Sequence, residues 1–253
     1  MRKTYTFLLF IFCYISMFGQ KIPVVEYTHY NDVDIPNTYK ATLYISNKSS
    51  IYRLRTSNIE HWAGKENPHP NAVFTKLDTI YDSYIKTDLE KKELFYYDRV
   101  MKYNFLISDR FNIKWIIADS TKQILGYKCN KATTNFRGRQ WEVWFTPEIA
   151  MPFGPWKLYG LPGLILSAHD TSMRFNMIAT AIHYEPNDIL SKNFLKLKEA
   201  YNKSPITLQD FINKSDEITE NSFKERSLEF SSGSIQMIEV PRSGEELIYE
   251  WEK

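Results

Sequence analysis

Between Pro147 and Gly163 the chain carries four prolines (Pro147, Pro152, Pro155, Pro162) and three glycines (Gly154, Gly160, Gly163). No helix or central strand tolerates proline at that density, because each one removes a backbone donor and fixes φ. The same stretch holds Ile149, Met151, Phe153, Trp156, Leu158 and Tyr159, too apolar for a disordered linker. It must be a long ordered loop laid on a core, and such loops are uncommon without a purpose. Pro162-Gly163 fits the centre of a type II turn, proline presetting φ and glycine taking the positive φ that follows. Gly160, Pro162 and Gly163 are therefore expected to form a structural turn that feeds a buried strand from Leu164.

The chain on either side reads as strands. Val24 to Tyr30, Ala41 to Ser46, Ile51 to Arg55, Leu94 to Tyr97, Tyr103 to Ser108 and Ile113 to Ala118 are rich in aromatic and β-branched residues, several with period-two alternation. Val73 to Lys92 fits either periodicity and is read as strand. Asp119 to Gln123 reads as a polar turn. Gly126 to Phe136 and Gln140 to Thr146 form a hairpin around Arg137-Gly138-Arg139, and Leu164 to Ala168 and Met173 to His183 are two further strands. A helical stripe runs from Ile189 to Tyr201, a second helix opens at Thr207 with a capping-box pattern to Asp210, and Glu246 to Trp251 closes the chain as a last strand. The expected fold is mainly β (α+β). It is a large curved antiparallel sheet or half-barrel with two or more helices packed on its concave side.

The start of the chain has the form of a secretory signal: Arg2 and Lys3, then an apolar run from Tyr5 to Phe18, with Gly19 before the expected cut. Residues 1–19 are read as signal peptide and 20–253 as a single β-rich domain. Lys and Arg number 32 and Asp and Glu 30, and the excess lies wholly in the signal. No basic field for nucleic acid is left in the remainder, and no later segment is apolar enough to span a membrane. The expected address is the periplasm or the extracellular space, with association to the outer membrane possible by either route. Cys129 alone would remain after cleavage, which excludes an internal disulfide; it is read as a buried thiol.

Specific catalytic signatures are missing: no Gly-x-Ser-x-Gly elbow, phosphate loop, dinucleotide fingerprint or His-Glu-x-x-His occurs. His61 and His69 lie in a polar loop at a spacing that matches no metal motif, and His169-Asp170 reads as a solvated turn. No catalytic residue, metal or cofactor is therefore assigned. Arg137 and Arg139 flank a hairpin glycine and could form a fork for carboxylate or phosphate; a solvated tip is the simpler reading. Trp141, Trp144 and Trp156 with Tyr159 could form a sugar-stacking or lipid-contacting surface, although strand aromatics are usually core. Trp156, Tyr159, Met173, Phe175 and Met177 join the two arginines as candidate ligand- or partner-binding residues.

Several motifs carry a family likeness: Trp115 to Ser120, Thr121 to Thr133, Phe136 to Arg139, Trp144 to Ile149, Gly154 to Lys157 and Gly160 to Ile165. Together they resemble the GLPGLI family of exported Bacteroidetes proteins, and more distantly envelope proteins of the lipoprotein-carrier type. That family brings no assigned activity or catalytic residue. The resemblance implies a curved sheet with helices over an apolar concave side. The functional expectation is a non-catalytic envelope protein, not an enzyme, binding an apolar small molecule, a lipid or a lipidated partner. The alternatives are an interaction module for an envelope protein partner in an outer-membrane complex, or an uncharacterised enzyme.

Overall fold

Two antiparallel meanders meet edge to edge in a single twelve-stranded sheet. The structure is a computed structural model, and it describes residues 21–33, 36–55, 82–187, 189, 204–229 and 242–252. The first meander is β1 (Lys21–Asn31), β2 (Asn37–Ile45), β3 (Ser49–Arg55), β4 (Asp82–Asp88), β5 (Glu93–Val100) and β6 (Tyr103–Asp109). The second is β7 (Ile116–Ile124), β8 (Tyr127–Phe136), β9 (Arg139–Thr146), β10 (Leu164–Asp170) and β11 (Phe175–Pro186). It runs back towards the first, so β11 pairs with β1 and β7 lies at the far edge. A two-residue strand, β12 (Ile206–Thr207), adds parallel to β6 and leads into the helix α1 (Leu208–Glu229). The protein is thus mainly β, as its alternating pattern requires.

One face of the sheet carries the main core. Val25 and Tyr27 of β1, Leu43 of β2, Leu94 of β5, Trp141, Val143 and Phe145 of β9 and Phe175 and Met177 of β11 are all buried there. Three pieces of chain cover it. The link between β6 and β7 crosses from one part of the sheet to the other and packs Phe111, Ile113 and Trp115 on the core. The proline-rich loop adds Phe153, Trp156, Leu158 and Leu161, and the start of α1 adds Leu208 and Phe211. Link and loop are tied together by the Trp115 indole, which donates to the Tyr159 carbonyl at 2.9 Å, and by the Tyr159 hydroxyl, which donates to the Phe111 carbonyl at 3.1 Å.

Local chemistry explains the hairpins. Leu125-Gly126 and Arg137-Gly138 are two-residue loops with positive φ at both positions, the requirement of a type I′ turn. Helix α1 starts where its cap demands: the Asp210 amide donates to the Thr207 hydroxyl at 3.1 Å, and that hydroxyl donates to the Asp210 carboxylate at 2.7 Å.

Several expectations are corrected. Asp119 to Gln123 is no turn; it lies within β7, where a register irregularity between Ile117 and Thr121 lets an exposed polar run stay paired with β8. Glu246 to Trp251 is no strand; it is a strap ending in a single 3-10 turn, Glu250–Glu252. Among the described residues α1 is the one helix of any length, so two or more helices over the sheet are not seen. Apart from Ile189, the expected helix from Ile189 to Tyr201 lies outside the described residues, as do residues 1–19, the part of the 73–92 strand before Asp82, and His61 and His69.

The turn at Pro162-Gly163 is also of another kind. Positive φ falls on Gly160 at 96°, not on Gly163. The Gly163 amide donates to the Leu161 carbonyl at 2.8 Å, which closes a three-residue γ-turn on Pro162. Gly163 is required by space: a Cβ built there would lie 2.2 Å from the Thr146 carbonyl oxygen at the end of β9. The loop can return alongside the strand it left only if no side chain intervenes.

Candidate functional site

On the covered face a hollow of about 240 Å³ remains. Its floor is formed by β1 and β3 to β5, with His29, Tyr52 and Tyr96 among the residues present. Trp156 and Lys157 of the proline-rich loop, Leu208 and Phe211 of α1, and Glu245, Glu246 and Tyr249 of the C-terminal strap complete the wall. Four separate parts of the chain therefore converge on it.

A buried ionic cluster supports this wall. The Lys157 ammonium donates to the Tyr96 hydroxyl at 3.0 Å, to Asp109 Oδ2 at 3.0 Å and to Glu246 Oε2 at 2.9 Å. Arg137 donates through two nitrogens to Asp109, through Nε to Glu250 at 3.1 Å and through Nη1 to Glu246. Its guanidinium also stacks on the Phe111 ring at 4.7 Å. Burial pushes the Asp109 carboxyl upward, but hydrogen bonds and charge from Arg137 and Lys157 outweigh it and hold the carboxyl below the usual range. Burial pulls the Lys157 ammonium down, yet the charges of Glu246, Tyr96 and Asp109 raise it on balance, so it stays cationic. Two buried cations thus face three carboxylates, Asp109, Glu246 and the half-exposed Glu250, an arrangement in which desolvation is offset by pairing.

The groups facing the hollow behave differently. Burial, reinforced by the neighbouring Glu246 charge, raises the Glu245 carboxyl and favours its neutral, proton-donating form. Burial pushes the Tyr249 hydroxyl up to about 12 and lowers the His29 imidazole to about 4. A carboxyl raised by burial, phenols and a tryptophan around one cavity can hydrogen-bond and stack on a polyhydroxylated ligand, and the upward shift moves the carboxyl towards a proton-donating role.

Of the residues singled out in the sequence, Trp156 alone lines this hollow, with its ring 5.3 Å from that of Trp141. Arg137 and Arg139 do not form an open fork at a solvated tip. Both are buried, and their donors are taken: Arg139 binds Asp170 at 3.0 Å and the Ser243 and Gly244 carbonyls of the strap. His169 and Asp170 form no solvated turn: they end β10, and Asp170 is buried in its pair with Arg139. Tyr159 is half-buried in the loop, where it is hydrogen-bonded to the link. Phe175 and Met177 are fully buried and fill the core, and Met173 lies exposed at a turn with φ of 58°. Gly160, Pro162 and Gly163 shape the loop as described. Cys129 is buried in β8, and desolvation raises its thiol, despite the lysines beside it. Among the described residues no group of three or more His, Cys, Asp or Glu could hold a metal.

Sequence reasoning missed His29, Tyr52, Tyr96, Lys157, Asp109 and the strap glutamates. His29, Tyr52, Tyr96 and Asp109 come from four different strands, and Lys157 and the strap glutamates from later irregular segments, a convergence that no local pattern records. One signal was available: Lys157 is a lone cation in an otherwise apolar run, and a buried cation requires buried carboxylates.

Residues 83–210 match the family model described as "N-glycanase peptide, N-terminal domain", which is half of the chain. The chain belongs to this N-glycanase N-terminal-domain family. Two solved structures of PNGF-II, in the C2 and P21 space groups, resemble it with a TM-score of 0.50 at 16% and 15% identity. They cover 78% and 77% of this chain, which in turn spans about a third (33%) of the length of each PNGF-II chain. At that identity the likeness is one of fold. No curated protein matches the sequence. The family membership overturns the GLPGLI and lipoprotein-carrier resemblance. It also overturns the expectation of a non-catalytic protein that binds an apolar ligand, since the matched model is that of an N-glycanase N-terminal domain. The buried Phe175 and Met177 remove the apolar lining on which that expectation rested.

Proposed function

We propose that the chain serves an enzyme activity of the N-glycanase kind, and that the hollow engages the carbohydrate. The observation that carries this reading is the Glu245 carboxyl, raised by burial, beside Trp156, Tyr52, Tyr96 and Tyr249 in one cavity. Aromatic faces suit the C–H faces of a sugar ring, and a protonated carboxyl is the group that can donate to a departing or bridging oxygen or nitrogen.

In this reading the sheet is a half-barrel with the hollow on its concave side. Support comes from Asp109 at the end of β6, which reaches the Arg137 tip of the β8–β9 hairpin although these strands lie towards opposite edges of the sheet. Residues 1–19 act as a removable export signal, the remainder works as one domain, and the place of action is the periplasm or beyond. The basic start and apolar run support that address.

The test is to incubate the purified protein with an N-glycosylated peptide and quantify released oligosaccharide by mass spectrometry, with calorimetric titration as the binding readout. Release is expected, and Glu245→Gln should lower its rate about a hundredfold, the lower end of general-acid contributions. Absence of both release and binding with the wild-type chain overturns the reading; full activity of Glu245→Gln removes Glu245 from it.

A further inference from the structure

β7 ends the strand order, and among the described residues only β8 pairs with it. The opposite end of the sheet is closed differently: beyond β6 lies the two-residue β12, which runs straight into α1. Seven of the nine residues of β7 are exposed. Large apolar side chains stand at both of its ends: Ile116 is 71% and Ile117 52% exposed at the start, and Leu125 is 43% exposed just past the finish. The outward amides and carbonyls of such an edge are a template for another strand.

Edges are commonly guarded by a lysine, but here the guard is turned away. The Lys122 ammonium lies 4.2 Å from the centre of the Trp144 ring of β9, folded back across the sheet instead of standing out from its edge. The register irregularity between Ile117 and Thr121 bends the strand, so a straight foreign strand matches only part of it.

A second copy of β7 matches more. Antiparallel pairing of the strand with itself has a twofold axis normal to the sheet, and residues directly opposite must share a face. The axis therefore passes beside a residue. Placed on Asp119 or Lys122, it sets like charges against each other. Placed on Ser120, it sets the exposed Ile117 against Gln123. Placed on Thr121, it pairs like with like: Thr121 meets Thr121, Ala118 meets Ile124, and Ile117 lies beside Leu125. Asp119 and Lys122, the charged residues of β7, then face the neutral Gln123 and Ser120. The irregular stretch of each copy also faces the regular stretch of the other.

We infer that the protein forms a twofold dimer through β7, centred on Thr121, in which two twelve-stranded sheets join into one. The axis uses up the same edge in both copies, and the short β12 end offers no second long edge, so assembly closes at two. An axis normal to the sheet keeps both covered faces on one side. Both hollows then lie on that side, and a repeating ligand can be held at two points. The pairing is independent of what the hollow binds.

Sedimentation equilibrium of the purified protein over a concentration series tests this, with a monomer–dimer equilibrium expected. Thr121→Lys puts two ammoniums at the axis and Thr121→Glu two carboxylates. Each should raise the dimer dissociation constant about tenfold, the scale of a cross-strand pair turned from favourable to repulsive. An equimolar mixture of the two variants should return to the wild-type constant, because lysine then faces glutamate. Ile117→Lys should weaken the dimer further, since the axis repeats its contact with Leu125. Both positions are exposed, so the fold should survive, and circular dichroism checks that it does. A wild type that stays monomeric at every concentration overturns the inference. So does a dimer that Thr121→Lys and Ile117→Lys leave unchanged, or growth beyond two copies. A dimer weakened by each Thr121 variant but not restored in their mixture overturns the centring on Thr121, and the inference with it.

Discussion

Arg137 and Asp109 face each other through two parallel hydrogen bonds of 2.7 Å, Nη1 to Oδ2 and Nη2 to Oδ1, with both side chains 1% exposed. The pair fastens the end of β6 to the tip of the β8–β9 hairpin. It is also the anchor on which the strap is held, because the Leu247 amide donates to the Arg137 carbonyl at 2.8 Å and Glu246 and Glu250 bind its guanidinium.

Removing one partner of such a pair leaves the other charge buried. Asp109→Ala leaves Arg137 and Lys157 to share Glu246, one buried carboxylate short, and is expected to cost about 3–5 kcal/mol of stability. Glu250 is 48% exposed in its side chain, so Glu250→Ala should cost less than about 1 kcal/mol. Urea denaturation followed by tryptophan fluorescence measures both, and similar midpoints for the two variants would contradict the account.

The His29 imidazole gives a pH dependence with a defined sign. Its folded value of about 4 lies below the ordinary 6.5. A depressed group contributes stability that is fully present above the unfolded value and lost as pH falls. The loss attributable to His29 should therefore accumulate between pH 6.5 and 4 and amount to roughly 3 kcal/mol at its lower end. Asp109 has the same sign at lower pH, while the raised Glu245 carboxyl has the opposite one. The measurement is thus a difference, wild type minus His29→Phe, across that window; a flat difference would show that the buried imidazole is not neutral.

The glycines separate two kinds of strain. At Gly163 an added Cβ meets the Thr146 backbone at 2.2 Å, whereas at Gly126 nothing lies within 4 Å and only the φ of 82° is unfavourable. Gly126→Ala should cost about 1–2 kcal/mol, the penalty of left-handed backbone. Gly163→Ala must displace β9 or the loop and should cost more, about 3 kcal/mol, at the upper end of overpacking penalties. Thermal melts of the two single variants give the comparison, and a smaller shift for Gly163→Ala would reverse the argument.

Strands were legible because each has its own signal. The alternation in Ala41 to Ile45 and Trp141 to Phe145, the Arg137-Gly138 turn and the Thr207 cap are all local, and all recur in the structure. Asp119 to Gln123 misled because a polar edge strand and a polar turn have the same composition; pairing to one side with β8 decides between them. The strap misled because its apolar residues suggested a strand, while its glutamates Glu246 and Glu250 are bound by Arg137 and Lys157, 89 to 113 residues earlier, contacts that only long-range closure creates. The hollow was illegible for the same reason. Arg137 and Arg139 look like free guanidiniums until Asp109, Asp170 and Glu246 are brought beside them.

The seam between the two meanders has a consequence for how the molecule forms. Every other pairing in the sheet apart from β12 joins strands adjacent in the chain, but at the seam Thr28 aligns with Ile178 and Asn31 with Phe175. Bringing such distant segments together costs chain entropy that neighbouring hairpins do not incur. Each meander can therefore assemble locally, while β1 keeps an unpaired edge until β11 arrives. The last step in maturation is then the joining of two preformed halves, and the interval before it is when this chain is most exposed to pairing with a stranger.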